Sequence, residues 1–218
     1  MTVDPRGYAT LVFDCDGVIL DSNKVKTEAF YKAALPYGDN AARQLVSHHT
    51  QNGGISRFKK FQYLLDNLVA PGTPGPDLET LLASYAREVR DGLMSCAITP
   101  GLHELRARTP KARWLIVSGG AQAELRDVFE ARGLAELFDG GIYGSPDSKE
   151  DILAREMACQ NIVQPALFLG DSRYDHVASS AHGLDFVFIA GWSEFQGWQA
   201  YCQAHQLAVV ATVAALNA

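Results

Sequence analysis

No apolar run in this sequence approaches the roughly 18 residues that a membrane-spanning helix needs. The opening residues, Met-Thr-Val-Asp-Pro-Arg, also lack the basic-then-apolar order of a secretory signal. A cytoplasmic location without membrane association is expected. A basic field is missing too, because 19 Lys and Arg face 25 Asp and Glu, for a net charge of −6. Neither nucleic acid nor an anionic surface is therefore an expected partner. The four cysteines, Cys15, Cys96, Cys159 and Cys202, are dispersed and form no Cys-x-x-Cys, which argues against a zinc site or a disulfide framework. Repeats and low-complexity tracts are absent. The one dense cluster of breakers, Pro71-Gly72-Thr73-Pro74-Gly75-Pro76, must be a loop.

What the chain does have is 47% apolar residues over 218 positions, enough for one sizeable α/β domain or a core with an insert. Its most informative segment runs from Tyr8 to Val18, an apolar, β-prone stretch that ends in Asp14-Cys15-Asp16-Gly17. Such a strand delivers two carboxylates to its carboxyl end, where ligands bind in open α/β sheets. Two negative charges about 4 Å apart cost on the order of 4 kcal/mol at an effective dielectric near 20. A hard, oxygen-seeking cation is the natural remedy, and Mg²⁺ is the default. Cys15, between the two, reads as a small buried thiol.

Between Ser22 and about Ala97 strand signals vanish, and apolar residues recur at helical spacing over 24–35, 39–50, 55–69 and 77–94. After Thr99-Pro100-Gly101 the rhythm becomes βαβ, with strands expected at Trp114–Val117, Gly141–Tyr143, Ala166–Leu169, Phe186–Ile189 and Ala208–Val210. The first strand must join that parallel sheet to bury its own side chains. The expected division is a core of residues 1–21 and 98–218 with an all-helical insert, 22–97, after the first strand. Asp21-Ser22 and Ala97–Pro100, the two crossings, are natural hinges.

Three later strand ends also carry polar groups. Ser118-Gly119-Gly120 precedes a helix expected near Ala121, so backbone N–H groups, including that of Gly119, and the Ser118 hydroxyl can meet a phosphate oxygen. Ser118 can equally be a plain helix cap. Lys149 opens another helix, an unfavourable place for a cation that invites a compensating role. Asp171 ends the strand Ala166–Gly170, and Asp175 follows one helical turn later, so both carboxylates can face one point.

Taken together, Asp14-Cys15-Asp16-Gly17-Val18, Ser118, Lys149 and Gly170-Asp171-Ser172-x-x-Asp175 resemble, in order, the four motifs of the haloacid dehalogenase-like hydrolase superfamily. The layout is similar to phosphoglycolate-phosphatase-like and β-phosphoglucomutase-like members. The resemblance implies a Rossmann-like parallel-sheet core with a helical cap. It implies a nucleophile at Asp14, a general acid and base at Asp16, and Mg²⁺ held by Asp14, the Asp16 carbonyl and Asp171, with Asp175 close by or acting through water. Ser118, Gly119 and Lys149 would bind the phosphoryl group. The polar connection His48 to Arg57 occupies the position of the family's specificity loop, with Arg57 the first candidate for a substrate contact and His49 and Asn52 behind it. A small phosphorylated metabolite is the expected partner, and the protein would be a monomer or homodimer.

Other readings stay open. Asp16 argues against a dehalogenase, which would not be expected to carry an acid there. A phosphonatase would need a cap lysine such as Lys24 or Lys26, which nothing nearby singles out. A phosphohexomutase is the closer rival, and a catalytically silent domain the more distant one. Gly119-Gly120 departs from the asparagine and basic residue that many close relatives carry after the motif serine.

Overall fold

The computed structural model describes residues 3–217. Six parallel strands form one sheet: β1 (Thr10–Phe13), β2 (Arg113–Ala121), β3 (Gly141–Ser145), β4 (Ala166–Gly170), β5 (Asp185–Ile189) and β6 (Ala208–Val210), in the spatial order β3-β2-β1-β4-β5-β6. Strand β1 is therefore central, paired in register with β2 from Thr10 opposite Arg113 and with β4 from Thr10 opposite Ala166. All four of its residues are buried, as a strand covered on both faces requires. Leu11 and Phe13 point to one apolar layer and Val12 to the other. Phe13 packs on Trp114 at 4.7 Å between ring centroids and on Phe138 at 5.7 Å.

Four helices separate β1 from β2: α1 (Asn23–Ala34), α2 (Asp39–Gln51), α3 (Arg57–Tyr63) and α4 (Leu78–Ser95). The expected helical stretches match these closely, except that 55–69 divides into α3 and a turn of π-helix, Leu64–Leu68. Helix α4 buries Leu81, Tyr85, Val89 and Leu93, a stripe at four-residue spacing that can form only on one helix face. Phe30 of α1 meets Tyr85 at 4.5 Å and Phe61 at 5.1 Å between centroids, so the insert has its own aromatic centre. The Pro71–Pro76 stretch is loop, as read from sequence.

The two crossings run side by side. Asp21 N–H donates to the Ala97 carbonyl at 2.9 Å and Thr99 N–H to the Ile19 carbonyl at 2.8 Å. Helix α5 (Leu102–Arg108) leads into β2, and beyond it come α6 (Gln122–Ala131), α7 (Lys149–Ala158), α8 (Arg173–Ala181) and α9 (Trp198–Ala204). One expectation needs correction. The strand expected over Trp114–Val117 does not stop there: β2 continues through Ser118-Gly119-Gly120 to Ala121, with its pairing to β3 interrupted between Val117 and Ala121. Gly119 and Gly120 lack the side chains that normally define a regular strand face, which lets the chain run extended past the sheet and enter α6 one residue later than expected.

Phe13→Ala should destabilise the protein by about 3–5 kcal/mol, since it empties a buried aromatic site in the central strand. Urea unfolding should show a lowered midpoint with an unchanged slope.

Candidate active site

Strand β1 ends at the point where strand order reverses, with β2 and β3 on one side and β4 to β6 on the other. Ligands bind at such switch points, and here Asp14, Asp171 and Asp175 come together. One carboxylate oxygen from each lies within 4.8 Å of the other two, and all three residues are buried. Gly17 makes this possible: at φ +76° it turns the chain, and a Cβ there would stand 2.2 Å from Asp171 Oδ2. No other residue fits.

Lys149 is the counter-charge. Its Nζ lies 3.0 Å from Asp14 Oδ1 and closer still to Asp175, with the lysine 1% exposed. Burial disfavours the ammonium, but Asp14 and Asp175 outweigh that and raise the Lys149 pKa. Asp175 is held at both oxygens, the second accepting from Ser172 N–H at 3.1 Å and the Ser172 hydroxyl at 2.6 Å. That exchange is a capping box at the start of α8. One ammonium cannot neutralise three buried carboxylates. Burial therefore pushes Asp14 up to about 7 against the pull of Lys149, and drives Asp171 well above the ordinary range, with Asp14 and Asp175 adding to it. This donor set, all oxygen and short of positive charge, fits a hard divalent cation.

Asp16 has different surroundings. Its Oδ1 accepts from the Ser22 hydroxyl at 2.6 Å and its Oδ2 from Lys26 Nζ at 2.5 Å. Burial opposes its ionisation, yet the Lys26 charge and these two hydrogen bonds prevail and lower its pKa. Asn23 reaches Asp171 Oδ2 at 2.8 Å and the Trp192 carbonyl at 2.9 Å. Three residues of one insert helix and its approach thus brace two of the core aspartates.

Above the carboxylates is a cavity of about 340 Å³ between core and insert. Asp14, Asp16, Asp171 and Gly119 line it from below, and His49, Asn52, Arg57, Lys60 and Tyr85 from above. Arg57 binds the core through Glu124 at 3.0 Å and lies over the Tyr85 ring at 5.1 Å, leaving its buried Nε without a partner. His49 is bonded through Nδ1 to Lys60 Nζ at 2.7 Å, and Asn52 donates to the His48 carbonyl at 2.8 Å. Ser118 is fully buried, its hydroxyl accepting from Gly120 N–H at 3.0 Å. Every residue singled out in the sequence sits at or next to this cavity. Sequence reasoning gave Lys26 no role beside Asp16, and it missed Ser22, Asn23, Lys60 and Tyr85. Lys60 did carry a signal, since it lies four residues before buried Leu64 on the apolar face of α3.

The family model described as haloacid dehalogenase-like hydrolase matches residues 8–183. The chain belongs to that family. No curated protein sequence matches it. Solved structures share its fold at low identity. A haloacid dehalogenase-like hydrolase from Streptococcus pneumoniae is 19% identical, with a TM-score of 0.64 over 93% of each chain. CbbY from Rhodobacter sphaeroides in complex with xylulose-1,5-bisphosphate is 18% identical, with a TM-score of 0.69 over 95% of each chain. A predicted phosphoglycolate phosphatase from Haemophilus somnus is 15% identical, with a TM-score of 0.64 over 84% of this chain and 85% of that one. Among the described residues of this hydrolase, no helix is long and apolar enough to cross a membrane.

Two outcomes follow from this geometry. Cation binding requires the carboxylates deprotonated, and Asp14 and Asp171 hold protons more tightly than ordinary aspartates, so binding near pH 6 should release protons and tighten as pH rises towards 7. Calorimetry with Mg²⁺ in buffers of different ionisation enthalpy measures that release. Separately, a Cβ on Gly119 would meet the Gly54 carbonyl at 2.1 Å. Gly119→Ala should then push the Gly53-Gly54 segment off the core and raise amide hydrogen exchange there, with little loss of melting temperature.

Proposed function

We propose that this hydrolase is a Mg²⁺-dependent phosphatase that cleaves a small phosphate monoester through an aspartyl-phosphate on Asp14, with residues 22–97 as a cap over residues 1–21 and 98–218. The observation that carries this reading is a buried carboxylate cluster, short of positive charge, at the floor of a cavity of metabolite size. The substrate would be a phosphorylated sugar, sugar acid or hydroxy acid, in keeping with the bisphosphate bound to CbbY.

Asp14, the Asp16 carbonyl and Asp171 would hold the ion, with Asp175 acting through water because both its oxygens already have donors. Once bound, the ion supplies charge neutralisation for the phosphoryl oxygens and the approaching carboxylate. The side chains do the rest. Asp14 Oδ1 accepts from Cys15 N–H at 2.7 Å and pairs with Lys149, which leaves Oδ2 free to attack phosphorus in line. The new O–P bond forms as the ester O–P bond breaks, and Lys149 offsets charge on the phosphoryl oxygens. Asp16 gives the leaving oxygen its proton, then takes one from the water that opens the phosphoenzyme. Ser22 and Lys26 keep Asp16 ionised, so its proton-accepting form dominates and donation is the more demanding of its two tasks.

Release of phosphate from a panel of small esters and from p-nitrophenyl phosphate, with Mg²⁺ and with chelator, tests this reading. Asp14→Asn should abolish turnover, and activity within tenfold of the parent would refute the nucleophile. Asp16→Asn should harm alkyl esters more than aryl esters, whose leaving groups need little protonation. Lys26→Met should move the alkaline limb of kcat/KM upward by about one pH unit or more, because Asp16 must carry its proton to donate in the phosphorylation step and removal of the adjacent cation raises its pKa. Conversion of a hexose 1-phosphate to its 6-phosphate would overturn hydrolysis in favour of a mutase. Absence of any Mg²⁺-dependent turnover would leave a silent domain.

A further inference from the structure

The buried cations around the cavity differ in one respect. Lys149 sits on Asp14 and Asp175, Lys26 on Asp16, and Arg57 on Glu124. Lys60 has no carboxylate partner among the described residues. It is 2% exposed and lines the cavity from the insert side; Nζ meets His49 Nδ1 at 2.7 Å and lies 5.5 Å from the centre of the Phe30 ring. His49 brings no negative charge, since burial and then Lys60 itself keep its ring neutral, with Nδ1 as acceptor.

The charges around Lys60 leave it without a counter-charge of its own. Lys26 acts on it from α1 and the neutral His49 meets it from α2, while Tyr85 of α4, whose hydroxyl burial keeps protonated, lines the same cavity. Asp14 and Asp16 act from β1 and Lys149 from α7, but each of those three is already paired. Burial first, and Lys26 next, push the Lys60 amine down to about 7. A lysine buried near another cation, with the cavity on its open side, lacks the counter-charge that buried ions require.

We propose that Lys60, backed by His49, binds a second oxyanion of the substrate, a carboxylate or a second phosphate, remote from the phosphoryl group that Asp14 attacks. This rests on the phosphatase reading and narrows its substrate to doubly anionic esters. Of the cavity's buried cations Lys60 alone would gain its only counter-ion from the ligand. His49 holds the ammonium in place through Nδ1, and the Phe30 face adds a weak attraction to the charge.

Matched ligand pairs test it by calorimetry on the Asp14→Asn protein with Mg²⁺, where binding is read without turnover. The first pair is 2-phosphoglycolate against 2-hydroxyethyl phosphate, which differ by the carboxylate. The second is propane-1,3-diol bisphosphate against 3-hydroxypropyl phosphate, which differ by a phosphate. At least one doubly anionic member should bind about 10- to 100-fold more tightly than its partner, as a hydrogen bond to a charged group implies; the pair that shows it identifies the oxyanion. Lys60→Met should erase that preference while leaving the singly anionic ligand's affinity within a fewfold, and Lys60→Arg should restore part of it. Circular dichroism on both variants checks that they fold. Equal binding within both pairs, or a preference that survives Lys60→Met, would overturn the proposal. Failure of the phosphatase reading would register separately, as no Mg²⁺-dependent cleavage of p-nitrophenyl phosphate by the unsubstituted enzyme.

Discussion

Everything at the floor of this site depends on Lys149. Its ammonium is buried between Asp14 and Asp175, and without it three carboxylates would share a low-dielectric pocket with no positive charge. Removal of one partner of such a buried cluster typically costs about 3–5 kcal/mol, because the remaining charges stay behind unpaired. The placement of Lys149 at the first position of α7 is locally unfavourable, and Ser148 offsets part of that by capping the helix through Asp151 N–H. The ion cluster thus spans four elements, the ends of β1 and β4 and the starts of α7 and α8.

The two aspartates of the first strand face different electrostatic surroundings only two residues apart. Asp14 sees one shared ammonium and two further carboxylates, and burial raises its pKa. Asp16 sees Lys26 and a hydroxyl, and its pKa falls. Such separation of neighbouring carboxyl groups is how one site assigns different roles to the same residue type. It also ties core to insert, since Ser22, Asn23 and Lys26, which act on Asp16 and Asp171, all lie at or just beyond the first crossing.

Beyond the Lys26–Asp16 pair, the contact between insert and core is built from small residues and a second ion pair. Gly54 approaches Gly119 so closely that a Cβ on Gly119 would stand 2.1 Å from the Gly54 carbonyl oxygen, and Arg57 joins α3 to α6 through Glu124. A larger residue after Ser118 would hold the two parts apart. Gly119 therefore has a steric meaning here: the insert's polar connection sits directly on β2. Thr27 adds a further tie at 2.6 Å to Glu194, which follows β5.

Much of this architecture was legible in the chain. Short continuous apolar runs at βαβ spacing fix the strands to within a few residues because a parallel sheet buries both faces, and a stripe such as Leu81-Tyr85-Val89-Leu93 can be nothing but a helix face. The carboxylates at 14, 16, 171 and 175 were legible for the same local reason, since a strand end or first helical turn sets where each points. The extended run of Ser118 to Ala121 was not, because two glycines leave the local conformation open and the packed Gly54 segment decides it. Nor was the pairing of Lys26 with Asp16, of Arg57 with Glu124, or the isolation of Lys60. Each depends on which charge the folded chain brings opposite, across 10 residues in the first case and 67 in the second, and long flexible side chains take their partners from tertiary packing rather than from their own segment.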